Sequence, residues 1–440
     1  MRPAALALAL VLVAPAALRA QDTTQAPPPG VRVGITYVPG MRPSVAVLPV
    51  ASSALDSARV ILQRDLDFSD RFDVVNVPDS LGGLAGAPDP RALAALGTDF
   101  AVTVAADSAQ PSRVTVALHD IHTGAVRNRL TLRLPPSVGG GGEALRQAVH
   151  AAADDVVRWA TGSPGIAATT LLFVDHNRLW RVDSDGAGLA QVPAAGFPVL
   201  SPAWSPDGHT IAYTAYVAAG QPIVLQDLAT GARRILPGTD RGLNITPMFS
   251  PRGRRIAFAH GDENGTDVYT YDLARHCCLT RLTVGRYYDN LSPTWSQDGQ
   301  RIAFISTRAG SPQLYVMSAD GTGQEVMANF DYGFTGQTNG PEWSPDGRSV
   351  AFHREVGGVP QVFVLDVASG QVRQITGDGR NEDPTWAPDS RHLAFASTRA
   401  GVRELWIVDL VTGRMRPLLT TVGAHLPAWS PLHTSYSEGP

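Results

Sequence analysis

Trp204-Ser205-Pro206-Asp207-Gly208 is written again and again along this chain. Related copies stand at Phe249-Ser-Pro-Arg-Gly253, Trp295-Ser-Gln-Asp-Gly299, Trp343-Ser-Pro-Asp-Gly347, Trp386-Ala-Pro-Asp-Ser390 and Trp429-Ser-Pro431. The steps between the aromatic residues are 45, 46, 48, 43 and 43 residues. A period in the forties built of short strands is the signature of propeller blades. Each copy reads as a turn: Pro presets φ, Asp bonds the backbone that follows, and Gly accepts the positive φ that closes a hairpin.

Apolar alternation follows each turn, at Ile211-Ala-Tyr213, Ile256-Ala-Phe258, Ile302-Ala-Phe304, Val350-Ala-Phe352 and Leu393-Ala-Phe395. Period two in β-branched and aromatic residues predicts half-buried strands. A third strand comes next in each unit, for example Leu314-Tyr-Val316 and Val362-Phe-Val364. A second turn, Asp227-Leu-Ala-Thr-Gly231, recurs as Asp366-Val-Ala-Ser-Gly370 and Asp409-Leu-Val-Thr-Gly413. Four strands per unit make one blade. The first unit begins without its Trp strand, at Leu171-Leu-Phe-Val174, and the last holds only the Trp strand around Trp429. The reading is therefore an all-β six-bladed propeller over residues 166–440, its last blade closed by the C-terminal strand so that edges are paired off.

At 440 residues the chain is long for one domain. Its charge of −4 comes with no basic block, which argues against nucleic acid as a partner. Met1-Arg2-Pro3, an apolar run from Ala4 to Leu18 and then Arg19-Ala20-Gln21 read as a secretory signal over residues 1–20, cut after Ala20. The run is too short to span a bilayer, and no transmembrane segment is read in the mature chain. Cys277 and Cys278 are adjacent; a disulfide between neighbours is geometrically unusual, although an exported protein meets oxidising conditions. Two cysteines alone make no zinc site.

Before the propeller lies a predicted α/β domain over residues 31–160. Val31-Arg-Val-Gly-Ile-Thr-Tyr37 alternates like an arm that pairs with something, and Arg42-Pro-Ser-Val-Ala-Val-Leu-Pro-Val50 reads as a buried strand. Ala54 to Phe68 carries Leu55, Ala58, Leu62 and Leu66 at helical spacing. A strand at Phe72 to Val75, a short helix started by Pro90, and strands at 100–105, 114–119 and 129–134 follow. Gly139 to Gly142 reads as a flexible break, and Glu143 to Ala160 as a helix.

These features together resemble the TolB family of the Tol–Pal envelope system. The resemblance rests on Arg42 to Val50 with Leu62-Gln-Arg-Asp-Leu66 and Ser69-Asp-Arg-Phe72, on Ala144 to His150 running through Asp154-Asp155 to Thr161-Gly-Ser-Pro-Gly165, and on Pro427-Ala-Trp-Ser-Pro431. It covers nearly the whole mature chain. It implies a non-catalytic periplasmic interaction protein that binds a Pal-like peptidoglycan-associated lipoprotein at the mouth of the propeller channel. It also implies a TolA-like inner-membrane partner for the N-terminal arm (Val31, Arg32, Val33, Ile35), and a role in outer-membrane integrity and constriction at division. The family arm usually carries acidic residues, and Ile35-Thr-Tyr-Val-Pro-Gly40 has none.

Binding on a rigid scaffold resides in loops, and the segments before each Trp strand differ from blade to blade. The candidate partner-binding residues are Leu243, Asn244 and Thr246; Tyr287, Tyr288, Asp289, Asn290 and Leu291; Asn339; and Asn381 and Glu382. Aromatic residues beside charges suit interface hot spots, whereas Leu243, Thr246 and Leu291 are placed by the resemblance. The repeated Asp207, Asp298, Asp346 and Asp389 read as hairpin caps, and the repeated Trp residues as blade core. The scattered histidines show no helical metal-ligand spacing. A cation near Asp289, Glu382 or Asp383 can be imagined, but no metal and no cofactor is assigned, and the chain is expected to be a monomer by itself. Two other readings stand beside this one: an exported propeller of, or accessory to, a hydrolase, and a stand-alone periplasmic scaffold. The sequence contains no Gly-x-Ser-x-Gly elbow.

Overall fold

Val45 and Val47 alternate with Ala46 and Leu48 along the first strand, and all four are buried, so this strand needs cover on both faces. The computed structural model describes residues 42–432 apart from 51–52, 78–87, 108–109, 111, 134–140, 194–195, 329–335 and 420–422. The signal segment and the arm residues Val31, Arg32, Val33 and Ile35 lie outside the described residues. In chain order the α/β domain holds β1 (Ser44–Val47), α1 (Ser53–Phe68), β2 (Asp73–Val74), α2 (Pro90–Ala95), β3 (Phe100–Ala106), β4 (Arg113–Asp120), β5 (Val126–Arg133) and α3 (Gly141–Thr161). The sheet order is β2-β1-β3-β4-β5, with β1 parallel to β2 and β3 and the remaining pairs antiparallel. Leu62, Leu66, Val149 and Val156 from α1 and α3 cover Val45 and Val47, while Leu93 of α2 covers Ala46 and Leu48. Asp89 caps α2, accepting from Arg91 N at 2.9 Å. The helix α3 begins inside the glycine run, at Gly141, where a flexible break was expected. Glu143 in its first turn favours that start through the helix dipole.

Six sheets follow as blades. Their innermost strands are Val199–Trp204, Gly242–Phe249, Asn290–Trp295, Thr338–Trp343, Asn381–Trp386 and His425–Trp429, in blades 1 to 6. Blade 6 pairs that last strand with Thr170–Asp175, register Trp429 to Leu171, and continues through Arg178–Asp183 to Ala190–Gln191. Trp429 Nε1 donates to Thr169 Oγ1 at 2.8 Å and Ser430 N to the Thr170 carbonyl at 2.8 Å. The C-terminal strand closes the ring, as the spacing predicts. The turns are built as their residues require: Ser205 Oγ donates to Asp207 Oδ1 at 2.5 Å, and His209 N to the same oxygen at 3.0 Å. Blades 3 and 4 repeat these bonds with Asp298 and Asp346.

Antiparallel pairing sorts the loops between two faces. Leu243 pairs with Gly261, Asn290 with Ser306 and Asn381 with Ser397, so the residues opening each innermost strand lie beside the end of the second. The blade-linking loops and the hairpins between second and third strands therefore share one face, the mouth. The Ser-Pro-Asp-Gly turns occupy the other.

The α/β domain docks on that turn face, at blades 5 and 6, through charge. Arg414 donates to Asp67 at 2.7 Å and to Asp70 at 3.1 Å. Arg391 makes two 2.6 Å bonds to Asp409 and a third, at 2.8 Å, to the carbonyl oxygen of Asp70. Arg64 pairs with Asp185 and Arg146 with Asp183. The Arg416 guanidinium lies 4.2 Å from the centre of the Phe68 ring. Asp389 caps its turn like its counterparts, yet its side chain is also buried against His392 and Arg71.

Candidate docking face

Each innermost strand carries Pro two residues before its aromatic, at Pro202, Pro247, Pro293, Pro341, Pro384 and Pro427. Proline offers no N–H to the ladder, and the register shifts at this point in all six blades. The residue before it adopts positive φ every time: Ser201, Thr246, Ser292, Gly340, Asp383 and Leu426, between 49° and 57°. Six such bulges ring a channel cavity of about 470 Å³. Glu342 stands in its wall; enclosure pushes its carboxyl up to about 7, against the pull of the Trp386 N–H, which donates to it at 3.1 Å.

The predicted binding residues divide in two. Asn244, Asn290 and Asn381 are buried and bonded inward. The Asn244 amide donates to the carbonyls of Thr239, Arg241 and Gln221 at 3.0 to 3.1 Å. Asn381 donates to Asp378 and Gly379 carbonyls and accepts from Arg399 at 3.2 Å. Asn290 donates to Asp267 at 2.9 Å and accepts from Arg308 at 3.2 Å. Their amides hold the loops in shape.

The others reach solvent in part or wholly. Tyr287 is fully exposed, on backbone at φ 71°. Tyr288 lies beneath the Arg308 guanidinium, 5.4 Å from ring centre, and its hydroxyl donates to the Val284 carbonyl. Asp289 Oδ1 accepts from Thr266 N at 3.1 Å. Leu243, Thr246, Leu291 and Asn339 are half-buried, and Glu382 is held between Arg380 and Arg403 at 3.0 and 2.9 Å. Further apolar side chains stand exposed on the same face: Phe197, Tyr216, Val284, Val356, Val359 and Val402. Four of these (Tyr216, Val356, Val359, Val402) sit at or beside second-to-third-strand hairpins, which sequence reasoning passed over. Runs such as Glu355-Val-Gly-Gly-Val359 carried the signal, since apolar residues at a hairpin tip face solvent.

Among the described residues, the carboxylate and imidazole groups that converge tightly enough to suggest a metal are Asp65, His150 and Asp185, and Asp70, His392 and Asp409. Both groupings belong to the domain junction, and arginines already balance them. What the mouth offers is a rim of aromatic, aliphatic and charged side chains around the channel.

A six-bladed propeller closed by its own tail and bearing an α/β domain defines a class of scaffold. Within that class, residues 158–433 match the family described as TolB beta propeller domain, and the chain belongs to that family. It is 31% identical over 227 residues to the Tol-Pal system protein TolB of Alcanivorax borkumensis, covering 48% of this chain and 51% of that one. It is 30% identical over 287 residues to a protein TolB homolog of Chlorobium chlorochromatii, covering 63% of each. The chain thus spans about half the length of the curated relatives it matches. The crystal structure of TolB from Acinetobacter baumannii superposes with a TM-score of 0.75 at 25% identity, over 90% of this chain and 98% of that one.

Proposed function

We propose that this chain is a periplasmic protein of a Tol–Pal system, acting by binding rather than by catalysis. Its mouth face docks a Pal-like peptidoglycan-associated lipoprotein, and its N-terminal segment engages a TolA-like inner-membrane protein. Through these contacts it supports outer-membrane integrity and envelope constriction during division. The observation that carries the reading is Tyr287, a wholly exposed aromatic held on a rigid scaffold among exposed apolar side chains. Aromatic anchors of this kind dominate interface energetics. Family membership supports the same reading, and among the described residues no helix is long and apolar enough to cross a membrane.

Titration of the purified mature chain with Pal from the same organism tests it by calorimetry. Saturable binding is expected, weakened at least about tenfold by Tyr287→Ala together with Leu291→Ala. Absence of saturable binding, or binding indifferent to both changes, overturns it.

A further inference from the structure

Blade 2 breaks the repeat twice. Phe249 stands where the other five blades carry Trp, and Arg252 stands where four other turns carry Asp. The two departures meet in space: a cleft of about 420 Å³ opens between blades 1 and 2 on the turn face, with Pro206, Asp207, Leu225, Arg234, Phe249 and Arg252 in its lining. At three other seams the indole spans the gap to the preceding blade, whereas Trp343 and Trp429 bond within their own blade, to the Gly347 carbonyl and Thr169. Trp204 Nε1 donates to the Ala428 carbonyl at 3.0 Å, Trp295 to Met248 at 3.2 Å and Trp386 to Glu342 at 3.0 Å. A phenyl ring is smaller and has no N–H, so this strut is missing at the first seam and the space beside it stays open.

The cleft has a chemical character. Leu225 and Phe249 make an apolar floor. Arg234 and Arg252 stand exposed on it, and neither has a carboxylate within ion-pair distance among the described residues. Asp207 contributes one negative charge, since Ser205 and the His209 N–H hold its carboxyl below the usual range. Two cations, one anion and an apolar floor suit a ligand that brings a carboxylate, a backbone donor and an apolar side chain together. A sulfate offers acceptors only and meets Asp207 uncompensated, and hydrogen phosphate, though its P–OH can donate, brings no apolar group to lie on Phe249.

We propose that this inter-blade cleft binds a short acidic peptide segment of a partner protein. A ligand carboxylate meets Arg234 and Arg252, its apolar neighbour lies on Phe249, and a backbone N–H turns to Asp207. The site is on the face opposite the mouth, so it is independent of the docking proposed there.

The test uses the full mature chain and a fluorescein-labelled octapeptide of alternating Glu and Phe, read by polarisation. Saturable binding is expected at low ionic strength and fades with salt, as exposed ion pairs are screened. The corresponding Lys-Phe peptide does not bind. Phe249→Trp and Arg252→Asp restore residues that the other blades already tolerate, and each weakens binding about tenfold with the melting temperature maintained. If one variant fails to fold, the other carries the comparison, and Tyr287→Ala leaves the affinity unchanged. Equal binding of both peptides, binding unaffected by the folded variants, or complete displacement by millimolar inorganic phosphate overturns the assignment.

Discussion

His392 Nε2 of blade 5 stands 3.3 Å from Asp70 Oδ2 of the α/β domain, while its Nδ1 stands 2.8 Å from Asp389 Oδ2 of its own turn. His150 mirrors this from the other side of the junction. Its Nδ1 lies 2.6 Å from Asp65 within the α/β domain, and its Nε2 lies 3.6 Å from Asp185 of blade 6. Each buried ring thus faces one carboxylate from each domain. Burial by itself lowers an imidazole pKa, but the carboxylates prevail: His392 is held at about 9, and His150 is raised as well.

A stability profile against pH follows from His392. The unfolded chain releases that proton near the ordinary histidine value of about 6.5, the folded one only near 9. Its contribution is complete below about pH 6.5 and is lost as pH rises through 9, a fall of roughly 3 kcal/mol. Urea melts at intervals from pH 6 to 10 measure it, and His392→Asn should flatten the slope in that window. An unchanged slope in the variant would show that the charge is not seated where the geometry puts it.

Arg391 is a buried cation at the junction, with two bonds to the buried Asp409 of its own blade and one across to the Asp70 carbonyl. Arg391→Ala strands a buried carboxylate and should cost about 3–5 kcal/mol in chemical denaturation. The double change Arg391→Met with Asp409→Leu removes both charges and should recover most of that loss. A double variant no more stable than the single one would mean that the bond to Asp70, rather than the ion pair, holds the junction.

The propeller was legible because its signal is local and repeated: turn chemistry and period-two alternation recur at Trp204, Trp295, Trp343 and Trp386. The junction was not, because its pairings are distant in sequence. His150 meets a residue 85 positions away and His392 one 322 positions away, so both read as solitary histidines. The mouth was half legible. Loop variability singled out segments that lie at the mouth, but whether a side chain faces in or out depends on tertiary packing, so Asn244 and Tyr287 read alike. The six X-Pro bulges left a visible trace, a proline two places before each aromatic, whose meaning needs the channel beside it.

That division of the mouth is itself measurable. Tyr287→Ala removes a side chain that is fully exposed, so stability should stay within about 0.5 kcal/mol while Pal binding weakens. Asn381→Ala strands the loop carbonyls and one face of Arg399, and should cost about 1–3 kcal/mol. Thermal melts beside the same Pal titration separate the two roles. Equal destabilisation by both changes would mean that Tyr287 is a structural residue.

Glu342 gives a second, separate pH window. Enclosure in the channel wall favours its neutral form, raising it from 4.5 to about 7. The stability tied to that proton is complete below pH 4.5 and is lost as pH rises through 7, below the window of His392. Asp154, whose carboxyl desolvation likewise pushes up to about 7 despite its accepting from the backbone N–H groups of Ala167 and Ala168, titrates in the same range. Glu342→Gln should therefore remove only part of the slope between pH 4.5 and 7, on the order of 1–3 kcal/mol. Gln still accepts the Trp386 N–H, so the inter-blade bond survives and the titration alone is deleted. If the slope persists in full, the Asp154 carboxyl carries it, and Asp154→Asn should then abolish it.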